Sequence, residues 1–518
     1  MSRQILEGEL LDPGRLAGPG RLVWSAGRIE ECSPLAPGTS SAPEARRLPP
    51  GCLLLPGFVD AHTHLIGLGF EFLRPNFAAA RSREEVYAIL AAWLDDHPGD
   101  EPVIGEGWDQ SLWADPAPPR REDLDRVAPR RRVFLRRVCG HVGVANSRAL
   151  EDLGSKWDGL DQETGLALEA LPLSISRRWP ASAEQMDEAV RLGQEEAWRR
   201  GVTGIHEMGH AGTFRAFGRA DAGGRLQLRV THFFAAELLE AIEAAGLSPG
   251  LGGGRLRVGG IKLFLDGSIG GRSAAVRTPY PAPPGGREDG SGLLLWTDEK
   301  LRTVLRRAFA GGFQPAMHAI GDRAIEQALA AVETLRAEGA VPPPPGPRIE
   351  HAEMLDAGLL ERARRAGCIL SMQPNFTARW QNPGELYDQI LGPDRARALN
   401  PFRAARATGR LVFGSDTMPL DPLLGLRGAC RHPVAAERLD FAEAVACYTG
   451  AAAAAVTHPF GNGSLAAGAP ADFVLLRRRK SAPGEIDPRD LEVAAVWVGG
   501  TLRHADAPFR AGGEVALE

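Results

Sequence analysis

Lysine is nearly missing from this chain. Of its 60 basic residues only four are Lys, at positions 156, 262, 300 and 480, and the rest are Arg. A Lys kept inside an apolar strand, as Lys262 is in GGIKLFLDGS, therefore stands out. Cysteine is sparse as well. Its six copies (32, 52, 139, 368, 430, 447) are scattered, with no Cys-X-X-Cys pair, which argues against a disulfide framework and for reduced thiols in a cytoplasm. No uncharged apolar run reaches the ~18 residues of a membrane span. The N-terminal MSRQILEGELLDPG lacks the continuous apolar stretch of a secretory signal, so a cytoplasmic protein with no membrane partner is expected. With a net charge of −5 there is no domain-wide basic excess to suggest nucleic acid. The Arg cluster RRRVFLRR at 130 to 137 reads as a solvated strand edge.

What is present is ordinary for a globular protein: 518 residues, 44% apolar and 24% charged. A chain of this length can hold one large α/β barrel with insertions. Residues 1 to 56 read as short strands with Gly/Pro turns. From about 188 onward strand and helix patterns alternate: VTGIHE, LQLRVTHFF, VGGIKLFLDG, FQPAMHAIG, PRIEHAEM, CILSMQP and RLVFGSD each adjoin a helix-like stretch. Alternation of this kind predicts parallel strands with crossover helices, and about eight units predict a closed (β/α)8 barrel over 57 to 457. A mixed segment at about 68 to 190 reads as an insertion after the first strand, placed over the site. Strand patterns return after 458, in GNGSLAAGAPADFVLL and VAAVWVGGTLRH. Residues 458 to 518 are thus expected to join residues 1 to 56 in one small composite β domain.

The first strand ends in FVDAHTHL. Residues i and i+2 of a strand share a face, so His62 and His64 can close on one metal ion, although a bare His-X-His is also an ordinary polar exit from a core. Further candidates stand at the ends of other strands: Lys262 and Asp266, His318 in PAMHAIGD, His351 in RIEHAE, and Asp416 in LVFGSD. These side-chain types suit zinc and similar divalent ions. His206 to His210 spell HEMGH, a literal match to the zinc-protease motif. That motif needs a helix, and the glycines around it (201, 204, 209, 212) predict a strand end and a loop, which leaves a protease a remote alternative. Trp108, His141, Asn146, Asp266, Asp322 and Gln373 are candidates for substrate contact, with helix capping the competing explanation for Asn146. Trp113 and Trp380 could join Trp108 in an apolar pocket or in an ordinary core.

Together FVDAHTHL, GIKLFLDGS, MHAIGDRAI, RIEHAEML, SMQPNF and LVFGSDTMPLDPL resemble the amidohydrolase superfamily. More narrowly they resemble amidohydrolase family 3, the group that includes N-substituted formamide deformylases. GWDQSLW, CGHVGVANSRAL, the CYTGAAA helix and GSLAAGAPADFVLL extend the likeness over nearly the whole chain. The resemblance implies a TIM-type barrel with a composite β domain and one or two divalent metals, usually zinc. It implies that His62 and His64 hold the first metal and that Lys262 is carbamylated and bridges two. It assigns His318 and His351 to the second metal, and it makes Asp416 both a ligand and the group that takes a proton from the attacking water. The expected activity is hydrolysis of a non-peptide C–N bond in a small amide or formamide-like substrate. An ester, lactone or cyclic imide substrate, or a non-catalytic regulatory protein on the same scaffold, stays open, as does a homodimer.

Overall fold

In the computed structural model residues 3–36, 44–154, 156–282, 290–461, 463–479 and 486–506 are described. The chain forms two compact units, residues 1–65 with 194–518, and residues 66–193.

The first unit contains an eight-stranded parallel sheet: β1 (Phe58–Thr63), β2 (Val202–Gly209), β3 (Arg229–Ala235), β4 (Leu256–Phe264), β5 (Gln314–Ala319), β6 (Arg348–His351), β7 (Ile369–Met372) and β8 (Leu411–Phe413). Each strand pairs with the next in chain order. The chain is thus a TIM-type barrel, with a separate β domain. Strands covered on both faces need continuous apolar runs, and β6, β7 and β8 are buried at every residue. The crossover helices carry the complementary stripe. In Asp322–Ala337 the buried Ile325, Leu329 and Val332 recur at helical spacing. Helix Ala357–Ala366 starts on the Asp356 carboxylate, which accepts from Leu359 N, and stops at Gly367, whose φ of 67° is left-handed.

The first and last strands meet through side chains and loop amides rather than a ladder. Asp416 N donates to the His62 carbonyl (2.8 Å), and Asp60 Oδ1 accepts from Ser415 N (2.9 Å) and His62 N (3.1 Å). This seam needs a glycine. A Cβ on Gly414 would lie 2.5 Å from His62 N and 2.8 Å from His62 Cβ.

Both chain ends build the second sheet. Gln4–Asp12, Leu16–Ser25 and Arg28–Pro34 form a meander. Cys52–Pro56 pairs parallel with the first of these and antiparallel with Phe473–Arg478, and Leu491–Val498 and Thr501–Ala505 follow. Leu10, Leu22 and Leu54 lie in its core with Trp24, Phe473 and Trp497; Phe473 sits edge-on to Trp24 and stacked on Trp497. Burial of each such side chain contributes about 1.5–3 kcal/mol. Residues 507–518, assigned to this domain from sequence, lie outside the described residues.

The second unit has its own four-stranded sheet, made of Val103–Trp108, Val133–Arg137, Val142–Ala145 and Leu166–Leu168. It also has its own core around Phe77, Leu90, Trp108 and Leu135. Among the described residues no helix is long and apolar enough to cross a membrane.

Because the added Cβ would meet the His62 backbone nitrogen, which cannot swing aside as a flexible side chain can, Gly414→Ala is expected to cost about 1–3 kcal/mol of stability. Urea unfolding measures it, and an unchanged midpoint would show that the seam can open without cost.

Candidate metal centre

The strand ends bring the six candidate ligands together. His64 Nε2 lies 3.1 Å from Asp416 Oδ1, and His62 Nε2 lies 3.5 Å from the same oxygen. Lys262 Nζ is 3.3 Å from His62 Nε2. The His351 ring is 4.9 Å from that of His62, and the His318 ring is 4.4 Å from that of His351. His62, His64 and Asp416 offer ligand atoms that all fall within 4.8 Å of one another, a spacing one ion can bridge.

Three of the four imidazoles have one ring nitrogen engaged by an acceptor away from the centre. His62 Nδ1 donates to Glu350 Oε2 (2.7 Å), His351 Nδ1 to Gln373 Oε1 (2.8 Å), and His318 Nε2 to the Gly267 carbonyl (3.0 Å). A neutral imidazole has one N–H, so each of the three keeps a lone pair on its other nitrogen. That is the state a metal requires, oriented by an outer acceptor. The donor set therefore fits a divalent ion.

The electrostatics agree. Burial, with the neighbouring Lys262, pushes His62 down to about 4, and the same two causes push His318 down to about 3. Burial also pulls Lys262 down to about 8, nearer the neutral amine. Burial opposes ionisation of Asp416. The hydrogen bond from His64 and the surrounding imidazoles outweigh it and hold the carboxyl well below its usual range. The backbone is strained at the same place. His351 (φ 71°), Ala352 (50°), Asp416 (55°) and Thr417 (56°) are all left-handed without being glycine. Such conformations cost about 1–3 kcal/mol each and persist where surrounding structure imposes them.

The candidates for substrate contact divide. Gln373 is at the centre, but as the hydrogen-bond partner of His351. Asp266 is buried, with its carboxylate on the amides of Ala275, Ile320 and Gly321; burial raises it to about 7. It ties the loop after β4 to the loop after β5. Asp322 accepts from Arg277 N and holds that loop in turn. Three candidates lie in the second unit, and two of them are corrected by their packing. Asn146 is a helix cap: its Oδ1 accepts from Val133 N and Ala149 N, and its Nδ2 donates to the Ala128 and Arg131 carbonyls, so every polar valence is used. Trp108 is a fully buried core residue whose Nε1 donates to the Leu135 carbonyl. Trp113 shares that core, whereas Trp380 packs in a separate cluster of the first unit. His141 is exposed and bonds Glu169.

HEMGH is not helical. His206 is a buried residue inside β2, three positions before its end, and His210 caps the following helix Ala211–Ala222 through Gly212 N. The protease reading fails on that geometry.

Four buried acids at or near the centre escaped the sequence reading: Asp60, Glu207, Glu350 and Glu353. Glu207 accepts from Thr63 Oγ1 and Leu65 N, and Glu353 from Tyr387 Oη. For Glu350 a signal existed. In Arg348-Ile349-Glu350 two charges alternate with an apolar residue on a strand of a two-sided barrel, which puts both charges inside.

The sequence profile described as the amidohydrolase family matches residues 50–504. The Bacillus subtilis (strain 168) protein YtcJ, which carries an amidohydrolase name, is 30% identical over 486 residues, covering 86% of this chain and 87% of its own. The N-substituted formamide deformylase of Arthrobacter pascens is 27% identical over 512 residues, 90% of this chain and 91% of its own. Among solved structures, an uncharacterized metal-dependent hydrolase from Pyrococcus horikoshii superimposes with a TM-score of 0.78 at 26% identity, covering 94% of this chain and 99% of that one.

Asn146 supplies a direct test of capping against substrate contact. Asn146→Ala is expected to lose about 1–2 kcal/mol of stability in the second unit. KM should stay within twofold of wild type, and a large rise in KM without loss of stability would return Asn146 to the substrate set.

Proposed function

The chain belongs to the amidohydrolase family, whose members are metal-dependent hydrolases, and on that premise we propose that it cleaves a non-peptide C–N bond in a small amide or formamide-like substrate. The observation that carries this reading is the convergence of His62, His64, Lys262, His318, His351 and Asp416, with a lone pair left on three of the four imidazoles. The likeness to a formamide deformylase supports the choice of bond. The free cysteines suit a reducing cytoplasm.

These six residues would hold one or two ions, with zinc the best match to the donor types. A divalent ion held there supplies Lewis acidity, lowering the pKa of a coordinated water toward ~7 and polarising a carbonyl. The protein's own part follows from its side chains. Asp416 is ionised and faces both His62 and His64, so it can accept the proton of the attacking water. As water oxygen bonds to the carbonyl carbon and the C–N bond breaks, Asp416 returns that proton to the leaving nitrogen. The products are a carboxylic acid and an amine, which become carboxylate and ammonium when the acid's remaining proton passes to the amine. Gln373 holds the His351 ring in place. Phe264 is half exposed, with its ring 4.8 Å from Lys262 Nζ and 5.1 Å from that of His318, and it gives the group beside the scissile bond an apolar wall.

Lys262 would help hold the ions as a carbamate in this reading. Arg cannot lose its proton at accessible pH, so only a Lys can react with carbon dioxide here. Carbamylation turns a cation into an anion with two oxygens, enough for two ions.

Metal-loaded protein assayed against N-formyl, N-acyl and cyclic amides, with esters and lactones beside them, tests the bond class. Turnover confined to the oxygen esters would overturn it. Asp416→Asn is expected to lower kcat by ~10²–10⁴-fold on any true substrate. Lys262→Ala is expected to lose metal and activity, with partial recovery in short-chain carboxylates. Full activity and undiminished metal content in that variant would refute the bridge.

A further inference from the structure

Below the histidines, the barrel encloses a charged pair to which the hydrolytic reading gives no part. Arg348 and Glu350 stand two residues apart on β6, so both point the same way, and both are fully buried. Glu350 Oε1 accepts from Arg348 Nε (2.7 Å), and its Oε2 accepts from Arg348 Nη2 (3.2 Å) and from His62 Nδ1 (2.7 Å). The other two nitrogens of the guanidinium have further partners. Nη1 donates to His206 Nδ1 (2.9 Å), Nη2 to the Ala61 carbonyl (2.5 Å) and to Ser371 Oγ (3.2 Å), and the Phe233 ring lies 5.1 Å from its carbon. Five barrel elements, β1, β2, β3, β6 and β7, are thereby tied to one cation.

We propose that Glu350 is the positioning residue of the metal site: its carboxylate fixes the Nδ1–H tautomer of His62 and so commits Nε2 to the ion. The inference rests on His62 being a metal ligand. The reasoning concerns hydrogen-bond valence. In the other tautomer Nε2 carries the proton and has no lone pair to give. An ionised carboxylate can only accept, so it admits one tautomer alone. Arg348 keeps that carboxylate ionised and immobile, and His206 anchors Arg348 as an acceptor. The first His of HEMGH thus acts on the site through two other residues.

This arrangement makes a prediction that a merely space-filling ion pair does not. In Glu350→Gln the side-chain oxygen is claimed by Arg348, so the NH2 group faces His62 Nδ1. A donor there favours the wrong tautomer. Removing Arg348 as well frees the Gln oxygen to accept from His62. The test strips wild type, E350Q, R348M/E350Q and R348M/E350L of metal and titrates each with Zn2+ against a chromophoric chelator. Thermal unfolding checks the fold, and the Co2+ electronic spectrum is a second readout. E350Q is expected to weaken Zn2+ binding about 100-fold and to alter the Co2+ spectrum. R348M/E350Q is expected to regain about tenfold of that loss, although it is the more heavily altered barrel. Wild-type affinity in E350Q, or no recovery in the double variant, overturns the proposal. Should E350Q not fold, equal affinities of R348M/E350Q and R348M/E350L overturn it. A wild type that binds neither ion overturns the metal-site reading, and this proposal with it.

Discussion

An imidazole has one proton and one lone pair to give when neutral, and this barrel depends on where each goes. A ring that spends its N–H outward, on protein, has its lone pair left for the centre. Glu350 takes the N–H of His62, Gln373 that of His351 and the Gly267 carbonyl that of His318. Each acceptor comes from a different part of the chain than its histidine, so the ring orientations are set by strand register and not by local sequence. Asp266 holds the loop that presents Gly267 against the loop after β5, accepting from one amide of the first loop and two of the second.

The Arg348–Glu350 pair shows what such a constraint costs. Burying two charges is unfavourable, and replacing a buried pair with apolar groups is often neutral or stabilising by ~1–4 kcal/mol. Losing one partner costs ~3–5 kcal/mol, because the other is left uncompensated. Stability alone therefore gives little reason for this pair at the centre of a barrel. Its contact with His62 gives one.

Much of the architecture was legible because it rests on repetition. Alternating strand and helix patterns, apolar strands and polar residues at strand ends are each spelled out locally, and the chain-end sheet follows from strand patterns flanking a barrel. The candidate ligands stood out for the same reason, since they lie at or just past strand ends, with His62 and His64 sharing one. The substrate-contact candidates were less legible. Asn146 and Trp108 lie in segments that carried the family likeness, yet local forces claimed them: a helix end needed a cap, and a second core needed a large ring. Asp266 and Asp322 accept from backbone amides, and a sequence does not say whether a carboxylate faces a ligand or its neighbours' amides. Glu350 was missed for the opposite reason. Charge inside a barrel violates the expectation that buried strands are apolar, and only a fully bonded network makes the violation tolerable.

HEMGH carries the same lesson in five residues. On a helix its histidines lie one turn apart on one face and can share an ion. On a strand the same separation of four residues is roughly 13 Å, far beyond two metal–nitrogen bonds. The glycines decide between these outcomes. Gly201 adopts a left-handed φ of 81° just ahead of β2 and turns the chain from the preceding helix into the strand. Gly209 closes the strand against His232 and Thr213, where a Cβ would lie 2.7 and 2.3 Å from their side chains. With the helix excluded, His206 turns to the barrel interior and offers a lone pair to Arg348, while His210 offers one to a backbone amide. Both imidazoles accept a hydrogen bond, and the backbone beneath them determines that the donor is protein.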